Sequence, residues 1–362
     1  MQRRPQRVRI ADVALAAGVS KTAVSFAFNT PERLAADTAA RIRGVAEALG
    51  YRPHPVARLL TQRQTMTLGV LTPQPLAVIF SNPFFALFSE GVATVAEERG
   101  YELHFLSPVH GSLALALDRT TVDGVVAIGL SGDHREVELI RAVGLPMVLV
   151  DSDDLPEHSS IVVDDEAGAA AAAGHVLALG HRDILVIAVE GPAVARGERG
   201  HPGVSERRLR GYRAACAAAG VPIGADHVVA ARASIEGGAA AFRSAWQAGL
   251  RPTAILAMSD AIAIGAMHAT RHTGVRVPDD LSVVGFDDID LSAHVDPPLT
   301  TVHQPIRQKG AAAVRLLLDA IEQPSTTPPG HLRLETRLIV RASTGPPPDA
   351  GTHARREETP AG

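Results

Sequence analysis

The chain has 362 residues, too many for one small core and enough for two or three domains, and 46% of them are hydrophobic with a mean hydropathy near zero, as in a soluble globular protein. Its apolar runs fall short of the ~20 residues a membrane span needs, and the Arg-rich start MQRRPQRVR leads into no signal-peptide core, so retention in the cytoplasm is expected. The net charge of −4 conceals an asymmetry: residues 1–63 hold eleven Lys/Arg against four Asp/Glu, a head at +7 on a body at −11. Such a split suits a protein that places one end on phosphates and keeps the other off them. Cys216, the only cysteine, excludes an internal disulfide and a thiolate metal cluster, and its Ala-rich helical surroundings mark it as a buried inert thiol. Lys21 and Lys309 are the only lysines, a bias that fits a GC-rich genome.

Residues 1–9 read as a disordered basic arm. The stretch IADVALAAGVSKTAVSFAFN, Ile10 to Asn29, holds two short helical runs on either side of Gly18. Ile10, Val13, Ala14 and Ala17 recur at helical spacing, and Gly18 supplies the positive φ of a tight turn. Val19 fills the turn, and Ser20 is an N-cap whose hydroxyl can accept an orphan N–H of the next helix. The second run places Val24 and Ala27 inward and Lys21, Thr22, Ser25 and Phe26 outward. This is helix-turn-helix geometry, with the second helix presented N-terminus first, although an ordinary helical corner would share the pattern. A Pro-containing loop, Thr30 to Leu34, leads to a third helix, Asp37 to Leu49, with Ile42, Val45, Ala46 and Leu49 on one face.

These residues resemble the N-terminal signature of the lactose/galactose repressor (LacI/GalR) family. Asp12-Val13-Ala14, Ala17-Gly18-Val19-Ser20 and Ala23-Val24-Ser25 stand where that family has D-V-A, A-G-V-S and T-V-S, and the likeness runs with gaps from Val8 to Gly345. It implies a DNA-binding head over residues 10–53, with Ser20, Lys21, Thr22, Ser25, Phe26, Asn29 and Arg33 as DNA contacts. Phe26 departs from the family's usual Arg, which exchanges a guanine contact for a thymine-methyl contact. Ala35 replaces the usual Ser or Thr cap of the third helix, leaving Asp37 or a frayed first turn to serve.

In Tyr51-Arg52-Pro53-His54-Pro55, two prolines enforce an extended lead into a run of about two helical turns, too short to be stable alone. From the residues alone it reads equally well as a linker. The resemblance makes residues 54–65 a hinge helix that folds when two copies meet in the minor groove, with Ala57 facing the groove floor and Leu60 wedging a base step.

From Met66 the grammar becomes βαβ. Strands are expected at Thr67–Leu71, Glu102–Leu106, Gly124–Ile128 and Met147–Val150, with helices at Phe84–Arg99, Ser112–Thr120 and Arg135–Val143. The pattern restarts with strands Ile184–Ala188, Ile255–Met258 and Leu281–Phe286 among helices Glu166–Leu179, Glu206–Ala219, Gly237–Ala248 and Ala261–Thr273. A late helix, Gln304–Gln323, returns to the first lobe, a last strand spans Leu332–Arg341, and the tail 345–362 is read as disordered. The fold class is an all-α helix-turn-helix head on an α/β core, 66–344. By resemblance that core is two-lobed and periplasmic-binding-protein-like, built on two doubly wound parallel sheets.

Ligands of open α/β sheets bind beyond the carboxyl ends of the strands. Those ends carry Ser81-Asn82-Pro83-Phe84-Phe85, Asp151, Ser259-Asp260 and Asp287-Asp288, while Arg208 opens a helix of the second lobe. The resemblance makes Phe84, Phe85, Asp151, Arg208, Ile235, Ser259, Asp260 and Asp287 the lining of an effector cleft, with Arg208 and Asp287 as polar anchors. Alternatives stand beside these: Asp260 either caps its helix or touches ligand, Arg207 or Arg210 could replace Arg208, and one of Phe84 and Phe85 belongs to the core. Ile235 stands where sugar-responsive relatives stack an aromatic, which weakens the case for a sugar, and Trp246 reads as core. His268 and His272 lack the Glu and third ligand of a zinc site, Asp164-Asp165-Glu166 read as first-turn acids, and no hydrolase elbow, P-loop or dinucleotide fingerprint occurs. The expectation is therefore a homodimeric, non-enzymatic, cytoplasmic repressor with no cofactor or metal, binding a pseudo-palindromic duplex under control of a small molecule, a sugar or another metabolite. A solute-binding protein, or a DNA-binding regulator with a decayed pocket, is the alternative.

Overall fold

In the computed structural model, residues 8–51, 64–130, 142, 144–152, 157–190, 203–323 and 328–348 are described. The expected hinge contacts Ala57 and Leu60, most of the expected helix Arg135–Val143, and residues 1–7 and 349–362 lie outside them. The chain divides into two compact units at Thr67/Leu68.

The first unit holds α1 (Ile10–Ala17), α2 (Lys21–Asn29) and α3 (Ala36–Ala48). Val13, Ala14, Ala17, Val24, Ala27, Ile42 and Ala46 form its core, so the apolar positions that recur at helical spacing are the ones that meet. Gly18 takes φ 63°, and α1 and α2 meet at 103°, inside the range of a helix-turn-helix. Two arginines of α3 close the other helices: Arg41 donates to the Ala17 carbonyl, and Arg43 Nε donates to the Ala27 carbonyl at 3.0 Å. Each satisfies an acceptor that a helix end leaves orphaned. Ala35 offers no side-chain cap to α3, and Leu49, expected on the inner face, is 39% exposed because α3 ends at Ala48 and the face turns away.

The second unit contains two six-stranded sheets. The first is built from β1 (Thr67–Leu71), β2 (Glu102–Leu106), β3 (Gly124–Ile128), β4 (Met147–Val150), β5 (Ser159–Val163) and β11 (His331–Leu334), in the order β11-β5-β4-β3-β1-β2. The second is built from β6 (Ile184–Val189), β7 (Val228–Ala231), β8 (Ala254–Ala257), β9 (Ser282–Asp287), β10 (Thr300–His303) and β12 (Arg337–Ile339), in the order β12-β10-β9-β8-β6-β7. Among the described residues these strands pair in parallel, except β10 with β12, which are antiparallel. The expected final strand Leu332–Arg341 is two strands: β11 (His331–Leu334) joins the first sheet and β12 (Arg337–Ile339) the second. A continuous strand is impossible here, since Glu335-Thr336 carries the chain from one lobe to the other. Earlier passages occur near Asp164 and at Gln304-Pro305. β5, β7 and β10 and the short helix Leu76–Phe80 were not anticipated.

Helix Ile306–Glu322 packs on the first sheet and on helix Pro83–Glu98. The two helices touch through glycines: a Cβ at Gly91 would lie 2.0 Å from the Arg307 carbonyl oxygen, and one at Gly310 would lie 2.3 Å from that of Phe88. That contact fixes the neighbouring Lys309. Gly345, expected to begin a disordered tail, accepts from His181 Nε2 at 2.9 Å and is bonded through both its N–H and carbonyl to Ser282 Oγ at 3.0 Å. Trp246 is half-buried rather than core; it stacks on Phe242 with the Arg251 guanidinium 4.1 Å above its ring. Among the described residues, no single helix is long and apolar enough to cross a membrane.

Candidate functional site

The presenting face of the head is α2. Ser20 Oγ accepts from the Ala23 N–H at 3.1 Å, which caps the helix. Lys21 and Thr22 are exposed on that turn, Ser25 and Phe26 are half-buried one turn later, and Asn29 ends the helix. Arg33 holds its guanidinium 5.3 Å above the Phe26 ring. Phe26 thus forms a shelf under a cation.

The second site is a chain of buried polar groups at the carboxyl ends of the strands. It begins in the second lobe, where Asp165 accepts from Arg207 Nε at 3.0 Å and from Arg208 Nε at 2.9 Å. The Arg208 guanidinium lies flat on Phe286, 3.5 Å from the ring centroid, donates to the Met258 carbonyl, and stands 3.7 Å from Asp287 Oδ1. Asp287 accepts from Gln304 Nε2 at 2.6 Å, and Gln304 Oε1 accepts from Lys309 Nζ at 2.6 Å. Lys309 then donates to both oxygens of Asp151, each at 2.8 Å, at the end of β4 in the first lobe. With three acceptors for three N–H donors the ammonium is fully satisfied, as a side chain at 0% exposure must be. The backbone is unusual at both carboxylates: Asp151 has φ 53° and Asp287 has φ 130°, in the region that favours glycine. Backbone held there against side-chain preference is a mark of functional positions.

Two sequence profiles match the chain: "Bacterial regulatory proteins, lacI family" over residues 9–54 and "Periplasmic binding protein-like domain" over residues 173–344. The HTH-type transcriptional regulator DegA of Bacillus subtilis (strain 168) is 32% identical over 349 residues, which are 94% of this chain and 99% of DegA. The chain belongs to the lacI family of bacterial regulatory proteins. A crystal structure of the lac repressor dimer bound to operator and the anti-inducer ONPF superposes with TM-score 0.78 at 27% identity, covering 94% of this chain and all of the other. A complex of the regulator CelR with cellobiose gives 0.68 at 29% identity, covering 93% and 100%.

The positions read from sequence are distributed unevenly in this lacI-family regulator. Arg208 and Asp287 meet, and Asp151 joins them only through Lys309 and Gln304. Of the three neighbouring arginines, Arg208 is the buried one on Asp287, while Arg210 pairs with Glu166 at the surface, 3.3 Å away. Phe84 is buried, stacks on Phe88 and lies 5.4 Å from Lys309 Nζ, and Phe85 is half-buried against it. Ile235 opens helix Ile235–Gln247 and stays partly accessible. Ser259, not Asp260, caps the next helix, accepting from Ile262 N–H at 3.3 Å. Asp260 is fully enclosed, with its oxygens held by Thr301 Oγ1, by Ser292 Oγ at 2.6 Å and by the Ile289 N–H at 2.9 Å. Asp165 and Glu166 are first-turn acids, as expected, with Asp164 as the N-cap; beyond that, the Asp165 side chain is 0% exposed between two arginines. His268 and His272 are exposed with their rings 6.1 Å apart, and among the described residues no group of three metal-ligating side chains forms.

Burial pushes Asp287 up to about 7 against the pull of Arg208, with Asp260 adding to the rise, and burial raises Asp260 as well. The native chain therefore retains a proton that the unfolded chain, with an ordinary carboxylate near 3.9, has released. Stability from this group is complete below about pH 4 and is lost as the pH rises towards about 7. Asp287→Asn is expected to flatten that part of the curve, read from melting temperature against pH. An unchanged slope would place the proton elsewhere.

Proposed function

We propose that the chain is a homodimeric transcription repressor whose two heads read the half-sites of a pseudo-palindromic operator and whose grip is set by a small polar effector between the lobes. The observation that carries this reading is the unbroken run from Asp165 to Asp151, which joins the lobes through Gln304 and Lys309. A molecule that exchanges partners with Arg208 and Asp287 changes the favoured lobe angle, and a ligand with different affinities for two angles shifts their populations. The CelR–cellobiose and lac repressor–ONPF complexes support a compact ligand with hydroxyl groups, and Ile235 supplies an aliphatic rather than stacking wall.

Lys21 and Thr22 are the base-edge readers in this account, and Phe26 holds Arg33 while offering its ring edge to a thymine methyl. Phe26→Arg removes the shelf and adds a guanine-type donor. Selection of binding sites from a random duplex pool is expected to shift one half-site position from thymine to guanine, with a discrimination of about 1–3 kcal/mol. The same consensus for parent and variant would reject this role. A second reading is favoured by one observation: the cleft charges already satisfy one another, as a pocket that no longer takes ligand would require. Thermal melts with candidate metabolites separate the two, because a ligand at 100 times its Kd adds about 2.7 kcal/mol.

A further inference from the structure

A cavity of about 430 Å3, lined by none of Arg208, Asp287, Lys309 and Asp151, lies where the last two lobe-to-lobe passages run side by side. Its walls include His303 and Gln308 along one passage and Arg333, Glu335, Thr336 and Arg337 along the other. Arg333 belongs to β11 of the first sheet, and His303 and Arg337 belong to β10 and β12 of the second, so this cavity is built by both lobes.

Its charge is unbalanced. The Arg333 and Arg337 side chains are exposed and form no ion pair or hydrogen bond among the described residues, whereas Arg276, Arg307 and Arg341 each hold a carboxylate. Glu335 is the one carboxylate in the wall. His303 has its Nδ1 on Asp288 Oδ2 at 2.9 Å, which leaves Nε2 on the opposite edge of the ring. Pro305, also in the wall, begins the 17-residue helix Ile306–Glu322, which has no side-chain cap, so its first-turn N–H groups add positive potential.

We propose that this cavity binds a small phosphate-bearing metabolite, with Arg333 and Arg337 as a two-armed clamp on the phosphate. Guanidinium forks match phosphate oxygens in pairs, and two forks against one carboxylate favour a dianion over a monoanion. The volume exceeds what a bare phosphate needs and admits a small organic body behind it. Since the clamp has one arm in each lobe, an occupant relieves the repulsion between the arms and draws the lobes together at this edge. That acts on the lobe angle independently of the Arg208–Asp287 cleft and is separate from the reading of that cleft given above.

The test is isothermal titration of the full chain with inorganic phosphate and with glycerol 3-phosphate at constant ionic strength set by chloride. Arg333→Ala and Arg337→Ala change exposed side chains and so leave the fold intact, and Lys21→Ala controls for phosphate held by the head. Saturable binding is expected, weakened about tenfold or more by each arginine substitution and unaffected by Lys21→Ala. No saturable binding of either anion, or affinities that both arginine substitutions leave unchanged, would overturn the proposal.

Discussion

Replacing Lys309 by methionine is expected to cost the protein about 3–5 kcal/mol, measured as the shift in chemical denaturation at neutral pH. The methionine conserves length and apolar bulk, so packing beside Gly310 and Phe84 is retained while the charge goes. What remains is Asp151, 9% exposed, with neither oxygen bonded to Lys309, and Gln304 Oε1 without its donor. Losing one partner of a buried pair costs far more than the pair was worth, because the survivor keeps its desolvation penalty. Two controls follow from that asymmetry. Asp151→Leu alone is expected to be similarly damaging, and Lys309→Met with Asp151→Leu is expected to recover most of the loss, a coupling that a double-mutant cycle measures directly. The recovered double variant should still respond poorly to ligand, since its lobes are no longer joined through Gln304. Additive losses in the double variant would show that Lys309 acts by volume and not by charge.

Arg208→Gln is expected to lower stability, as the Lys309 change does, and to abolish ligand-induced stabilisation, while the folded variant keeps operator affinity without ligand close to that of the parent. Arg208 makes four separate contacts, with Asp165, the Met258 carbonyl, the Phe286 face and Asp287, and it positions the last of these at 3.7 Å. Glutamine is neutral and too short to span them. Loss of a charged hydrogen bond to ligand is worth about 1.5–3 kcal/mol, or ten- to more than a hundredfold in affinity. Arg208→Lys should fare little better, since a point charge cannot lie flat on Phe286 and also donate in three directions. Ligand affinity retained in both variants would remove Arg208 from the binding role.

The head was legible because its determinants are local: Gly18 at a positive φ, Ser20 on the Ala23 N–H, and a core whose members recur within one or two turns. The apolar strands β1, β3 and β4 were legible for the same reason, as continuous runs buried on both faces. β7 and β10 were not, being four residues each, with β7 half-exposed and β10 rich in threonine. The division of Leu332–Arg341 between two sheets depends on where the lobes lie, which no run of residues encodes. The cleft was half visible. Strand ends pointed to Asp151 and Asp287, but the pairings that define the site join residues 43 and 158 positions apart. Lys309 carries one signal in the sequence: in a chain with 35 Lys/Arg it is one of only two lysines, a compact ammonium where arginine prevails.

The most direct measurement is operator affinity followed against effector concentration for the intact chain, by fluorescence anisotropy on a duplex taken from binding-site selection. The selected duplex should be pseudo-palindromic and hold two copies of the chain, and a small molecule that raises the melting temperature of the parent but not of Arg208→Gln should move its affinity by about tenfold or more. A molecule that occupies the cleft by that same criterion and leaves operator affinity unmoved would contradict the coupling of cleft to head.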